Sequence, residues 1–276
     1  MNERSQVIVV HADDPNGKRR NRLEVYGRRW AATQGVPVPR VIDHDPEGRW
    51  LVSERAHGYA PKGPEYLDAA LESANRIAAG TPPRPQEVAT TWRHPHRWKA
   101  PLRALQLAAG GVSPATFIAA RRAVAALPPE VPSHCDFHIG NVLFTRRRAD
   151  GIVQAATIID FEYLRMGPRH ADAIRLFTTV ESHQDAAHGV DVLLRGTTAN
   201  HWPAIAVQLR WLALRPLAEL LTVEGGPDPE LLSRARERWR LAQQWVRDIE
   251  RAQRTPVRRD SASAFPRIAT PGPRAS

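Results

Sequence analysis

The tightest constraint on this chain is a spacing. An acid, Asp136, is followed five positions later by an amide, Asn141, and a second acid, Asp160, closes the apolar run Ala156-Thr157-Ile158-Ile159. Asn141 leads directly into Val142-Leu143-Phe144-Thr145, so two short apolar runs flank Arg146-Arg147-Arg148-Ala149-Asp150-Gly151. Runs of this kind read as strands, and Asp-Gly between them is a hairpin signal. Such a hairpin carries Asp136, Asn141 and Asp160 to one edge. Two of the three then offer oxygen ligands to a hard cation that keeps part of its water shell. The third is a carboxylate free to orient a hydroxyl or take its proton. Those are the parts that phosphoryl transfer needs.

The segments on either side suggest a division of the chain. Gln6-Val7-Ile8-Val9-Val10 reads as a strand, and Asp13-Asp14-Pro15-Asn16-Gly17 as the turn that ends it. Leu23, Tyr26, Trp30 and Ala31 recur at helical spacing within 19–33. Val41-Ile42 and Trp50-Leu51-Val52 flank Asp45-Pro46-Glu47-Gly48, which predicts two further strands. From residue 58 onward the pattern turns helical, with helices expected over 65–79, from Leu102, over 114–127 behind a Ser113 cap, and over 171–180, 202–222 and 230–253. The expected fold class is therefore α+β, with a small N-terminal sheet-plus-helix lobe (1–57) and a mostly helical C-terminal lobe (58–253) that holds one hairpin.

Composition enters as a test of other functions. The net charge of +10 invites a nucleic-acid reading, but residues 251–276 hold six arginines and one acid, which accounts for half of it. Rich in Pro, Ser and Ala, 254–276 reads as a disordered basic tail, and no aromatic-basic interleaving marks an RNA-binding sheet. Nucleic acid is therefore not an expected partner. No apolar run is long enough to span a membrane, and the four-residue apolar run near the N-terminus is too short for a signal peptide. A single cysteine, Cys135, excludes an internal disulfide and suits a reducing compartment, so the expected location is cytoplasmic. His134, Cys135 and His138 lack the second ligand pair that a zinc site would need.

The sequence His134-Cys135-Asp136-Phe137-His138-Ile139-Gly140-Asn141-Val142-Leu143, then Ile159-Asp160-Phe161-Glu162, then Gly167-Pro168-Arg169-His170-Ala171-Asp172, resembles the aminoglycoside phosphotransferase family, the small-molecule branch of the protein-kinase-like fold. Arg22-Leu23-Glu24, Gly35-Val36-Pro37-Val38-Pro39 and Leu51-Val52-Ser53-Glu54 extend the similarity, which covers roughly 6–225. The resemblance implies a two-lobed kinase-like enzyme using ATP, or another nucleoside triphosphate, and Mg²⁺. The phosphoryl acceptor would be a hydroxyl on a small molecule, of the antibiotic, sugar or amino-alcohol class. It implies Asp136 as the catalytic carboxylate and Asn141 and Asp160 as the magnesium ligands. It also implies that His134 and Asp172 support the loop, and that Glu54 and Ala56 belong to the hinge that pairs with the purine. Glu24 becomes the helix acid that holds a phosphate-reaching lysine.

The family pattern also includes a lysine at the end of the first strand and a glycine-rich loop ahead of it. Here Val9-Val10-His11 ends the strand, so a residue without lysine's permanent charge stands in that place, and no such loop is found in 1–6. The amino lobe is thus expected to be truncated on the nucleotide side. The alternative function is a non-catalytic pseudokinase that acts as a binding or regulatory module.

Overall fold

Helix α1 (Pro15–Thr33) begins earlier than its apolar spacing predicts, and local chemistry explains the difference. The Asp14 carboxylate accepts from the amides of Asn16 (2.8 Å) and Gly17 (3.0 Å), so it is an N-cap, and Pro15 opens the first turn. A proline there forfeits no hydrogen bond, because the first amides of a helix have no internal partner. The Asp-Asp-Pro-Asn-Gly cluster that reads as a turn is therefore a helix start. The computed structural model describes residues 7–56, 58, 64–84, 88, 104, 107–108, 111–144, 156–221 and 228–254. The expected turn at 146–151, the break at Gly225-Gly226-Pro227 and the tail beyond Arg254 lie outside these residues.

The chain divides into two compact units, 1–92 with 128–176, and 93–127 with 177–276. In the first, β1 (Val7–His11), β2 (Val41–His44) and β3 (Trp50–Glu54) form an antiparallel sheet in the order β1-β3-β2. Val7 lies opposite Glu54 and His11 opposite Trp50. Gly48 turns the chain between β2 and β3 at φ 82°, and its carbonyl accepts from the buried Asn21 of α1 at 3.0 Å. A side chain at Gly48 would meet the Lys18 carbonyl at 2.0 Å, so glycine is required both for its φ and for the close approach of helix to turn.

Trp30 and Ala31 of α1, Leu51 of β3, and Tyr66, Ala70, Ala74 and Ile77 of α2 (Pro64–Ala79) belong to the apolar interior of this unit. Trp30 satisfies its indole N–H on the Thr81 carbonyl at 2.9 Å. The hairpin is present as β5 (Val142–Leu143) paired antiparallel with β6 (Thr157–Ile158). A second pair, β4 (Val131–Ser133) with β7 (Arg165–Gly167), has no counterpart in the sequence reading. Each of its strands is three residues long and contains Pro132 or Gly167, so neither shows a period of its own. The helix after β7, α4 (Ala171–Phe177), ends three residues earlier than its pattern suggests.

The second unit is helical. It comprises α3 (Pro114–Ala125), α5 (His183–Arg195), α6 (Trp202–Leu220) and α7 (Pro229–Arg254), and Ala104, Leu107 and Ala108 are also helical. Ser113 caps α3 as expected, accepting from the Thr116 amide at 3.4 Å. α5 went unread because Gly189 interrupts its pattern, and interior glycine disfavours helix. Here the Phe177 ring occupies the space that a side chain at 189 would need, only 2.3 Å from its Cβ position. Phe117 of α3 meets Trp211 of α6 with ring centroids 5.6 Å apart, and Trp245 of α7 is fully buried. Arg238, also buried, donates to the carbonyls of Phe177 (2.7 Å) and Val180 (2.8 Å), groups left without helical partners where α4 ends. Among the described residues no helix is long and apolar enough to cross a membrane.

Candidate active site

The candidate site lies within the first unit. β4 delivers the chain into the loop 134–138, which departs from regular geometry at once: Cys135 sits at φ 64°, a left-handed conformation that an L-residue with a side chain resists. Asp172, the second residue of α4, holds that conformation. One of its oxygens accepts from the Ser133 hydroxyl (2.8 Å) and the Cys135 amide (3.0 Å), and the other from the His134 amide (2.8 Å). These three bonds favour the charged carboxylate, but complete burial outweighs them and pushes Asp172 up to about 6.

His134 lies fully buried beneath the loop. Its Nε2–H donates to the Ile159 carbonyl (2.9 Å) and its Nδ1 accepts from the Asp136 amide (3.3 Å), a pattern that assigns one neutral tautomer. Burial lowers its pKa to about 4, so the ring is uncharged at neutral pH. It also stacks edge-on against Phe161, with centroids 4.6 Å apart. One imidazole thus joins the backbone of the Asp136 loop to the strand end that precedes Asp160.

Asp136 stands between two basic side chains, Arg175 Nη2 at 3.5 Å and His138 Nε2 at 3.7 Å. Asn141 closes the single 3₁₀ turn Ile139–Asn141, donates its side-chain amide to the Asp136 carbonyl (3.1 Å) and accepts at its own carbonyl from the Ile159 amide (3.0 Å). Asp160 takes φ 66° immediately before a second 3₁₀ turn, Phe161–Tyr163. Burial raises its pKa, the neighbouring Asp136 raises it further, and His138, a hydrogen bond from the Asn141 side chain and Arg28 work the other way. A carboxylate whose charge is disfavoured by burial and by a second carboxylate, beside an amide side chain, suits a magnesium ion. Such an ion takes one or two protein oxygens and completes its shell with phosphate and water. Asn141 and Asp160 are the residues that would hold it.

Helix α1 reaches this centre through one face. Arg20, Glu24 and Arg28 follow each other at four-residue intervals and so line up along the helix. Arg20 pairs with Glu162 (3.8 Å) and Glu24 with Arg28. Glu24 is buried, and its carboxyl is raised by desolvation against the pull of Arg28, with Asp160 raising it further and the Phe161 backbone amide lowering it. Gly27 allows this approach: a Cβ at that position would lie 2.6 Å from the Phe161 Cβ and 2.8 Å from its carbonyl oxygen. Gly→Ala in a helix ordinarily stabilises by roughly 0.5–1 kcal/mol. Gly27→Ala is expected to reverse that sign and cost about 1–3 kcal/mol through overpacking. Urea unfolding measures it, and an unchanged or raised midpoint would contradict the contact.

The structure therefore brings together Glu24, His134, Asp136, Asn141, Asp160 and Asp172. Glu54 ends β3 and pairs with Arg40 (2.9 Å), and Ala56 follows two residues beyond the strand. His11 lies exposed at the end of β1. The partner of Glu24 is Arg28 on its own helix rather than a strand lysine, a pairing that the four-residue spacing signals in the sequence. Arg175 also escaped the sequence reading. Its signal was a charge set between the apolar Ile174 and Leu176 in a short helix whose other charged residue is Asp172.

With this geometry in view, the comparisons are consistent with one class. The chain belongs to the phosphotransferase enzyme family, whose sequence profile matches residues 3–207. In structure it is similar to an aminoglycoside phosphotransferase from Alicyclobacillus acidocaldarius, with TM-score 0.55 and 17% identity over 89% of this chain and 86% of that one. It is similar also to a choline/ethanolamine kinase family protein from Mesorhizobium loti, with TM-score 0.54 and 18% identity over 91% and 83% of the two chains. The choline kinase LicA from Streptococcus pneumoniae gives TM-score 0.51 and 15% identity over 90% and 88%. No curated protein matches the chain. The fold is thus α+β and protein-kinase-like, and family membership supports small-molecule phosphotransfer as its general chemistry.

Proposed function

We propose that this protein transfers the γ-phosphoryl group of ATP to a hydroxyl of a small molecule of the antibiotic, sugar or amino-alcohol class. The observation that carries the proposal is the convergence of Asp136, Asn141 and Asp160, with Asp160 raised by burial and by Asp136. In this reading Asp136 accepts or orients the acceptor's hydroxyl proton, and Arg175 and His138 hold its carboxylate in place. Asn141 and Asp160 hold magnesium, which neutralises charge on the phosphates when bound. His134 and Asp172 fix the loop that presents Asp136, and Glu54 and Ala56 form the purine-side hinge. Among the structural neighbours is an aminoglycoside phosphotransferase in a ternary complex with streptomycin and ATP, with TM-score 0.50 and 11% identity over 86% of each chain. A cytoplasmic location belongs to the same reading, supported by a single, buried, free cysteine.

The second reading, a pseudokinase that binds without turnover, is favoured by two observations: β1 ends in His11, and Glu24 pairs within its own helix. Thermal melting separates nucleotide binding from its absence. ATP with Mg²⁺ is expected to raise the midpoint of the wild type, and EDTA or Asp160→Asn to remove most of that rise. A midpoint indifferent to Mg²⁺-ATP contradicts the nucleotide site.

A further inference from the structure

Nucleotide phosphates would add negative charge to a centre that already holds Glu24, Asp136, Asp160 and Glu162. A site of this kind needs a fixed cation to compensate. The strand β1 reads Val-Ile-Val-Val-His and offers no lysine or arginine. Arg175 is held at Asp136, and Arg20 is largely exposed beside Glu162. Arg28 remains. Its side chain is largely buried, its Nε–H is held by Glu24, and its charge is felt at Asp160. Its Nη1 is buried with no hydrogen-bond partner among the described residues. A buried, charged N–H group without an acceptor is costly in a folded protein and calls for an explanation. An incoming phosphate oxygen would provide the acceptor.

We propose that Arg28 is the phosphate-facing cation of the nucleotide site, presented from α1 and braced by Glu24 within the same helix. This rests on the phosphotransferase reading above. The close seat of Gly27 on Phe161 holds this face of α1 against the Asp160 turn, so the guanidinium is positioned before nucleotide arrives. Glu24 then has the same task with either partner: it fixes a cation, here one turn further along its own helix.

The test is direct binding of Mg²⁺-ATP, Mg²⁺-ADP and adenosine by calorimetry to wild type, Arg28→Met, Arg28→Lys and the double variant Glu24→Gln/Arg28→Met. The double variant removes both buried charges and so keeps the comparison usable if Arg28→Met alone does not fold. Loss of one charge-assisted contact should weaken ATP and ADP about 10- to 100-fold in the variants lacking Arg28. Adenosine, which has no phosphate, should bind as it does to wild type, and Arg28→Lys should recover part of the loss. Unchanged ATP affinity without Arg28, or an equal loss of adenosine affinity, overturns the assignment and leaves the phosphotransferase reading intact. A wild type that binds no ATP contradicts that reading itself.

Discussion

Asp136→Asn is expected to keep the stabilisation by Mg²⁺-ATP while lowering phosphoryl transfer by about 10²–10⁴-fold, the usual worth of a positioned general base. The substitution preserves volume, and the backbone contacts of the residue do not involve its carboxylate: its amide still donates to His134 Nδ1 and its carbonyl still accepts from Asn141. What it removes is the acceptor for a hydroxyl proton, together with the charge that faces Arg175 and His138. It also removes the second carboxylate that raises Asp160, so magnesium and nucleotide binding should hold or tighten. Binding kept with turnover lost separates a catalytic role from a structural one. Equal turnover in wild type and variant would remove Asp136 from the chemistry.

The second large effect concerns stability. Asp172→Ala leaves the Ser133 hydroxyl and the His134 amide without their acceptor in a fully buried place, and the Cys135 amide with only its longer bond to the Ser133 hydroxyl oxygen at 3.2 Å. With roughly 1–3 kcal/mol for each orphaned buried donor, and some relaxation, the variant should lose about 3–5 kcal/mol of folding stability. Cys135 is part of the same effect, since its left-handed conformation is held by that clamp. Chemical denaturation measures the loss, and a drop below about 1 kcal/mol would mean that water or the Ser133 hydroxyl takes over the amides. The isosteric Asp172→Asn should fall between, because an amide oxygen can accept on one side only.

How much of this was legible in the sequence follows from how local each signal was. Asp136, Asn141 and Asp160 could be read because a hairpin of two short apolar runs fixes their meeting within 25 residues of chain. The support of the loop was legible only through family resemblance: Asp172 acts 36 residues from Asp136, through backbone amides that leave no mark in composition. β4 and β7 were missed because three-residue strands have no period, and α5 because the glycine that weakens its pattern is the residue that admits Phe177. The start of α1 was misread because Asp-Pro-Asn-Gly serves a turn and a capped helix equally well, and only the Asp14 hydrogen bonds decide between them. In sequence, Arg28 and Arg175 look like any other helix charge. Burial is what makes them informative, and burial is a tertiary property.

The central claim is that this centre moves a phosphoryl group to a small-molecule hydroxyl. It is tested most directly by supplying Mg²⁺-ATP with a panel of aminoglycosides, sugars and amino alcohols and following ADP release together with phosphate-ester formation by ³¹P NMR. The account predicts acceptor-dependent ADP release and a matching phosphomonoester signal in the wild type, and neither in Asp136→Asn. Tight Mg²⁺-ATP binding with no product on any acceptor would contradict it and leave the pseudokinase reading standing.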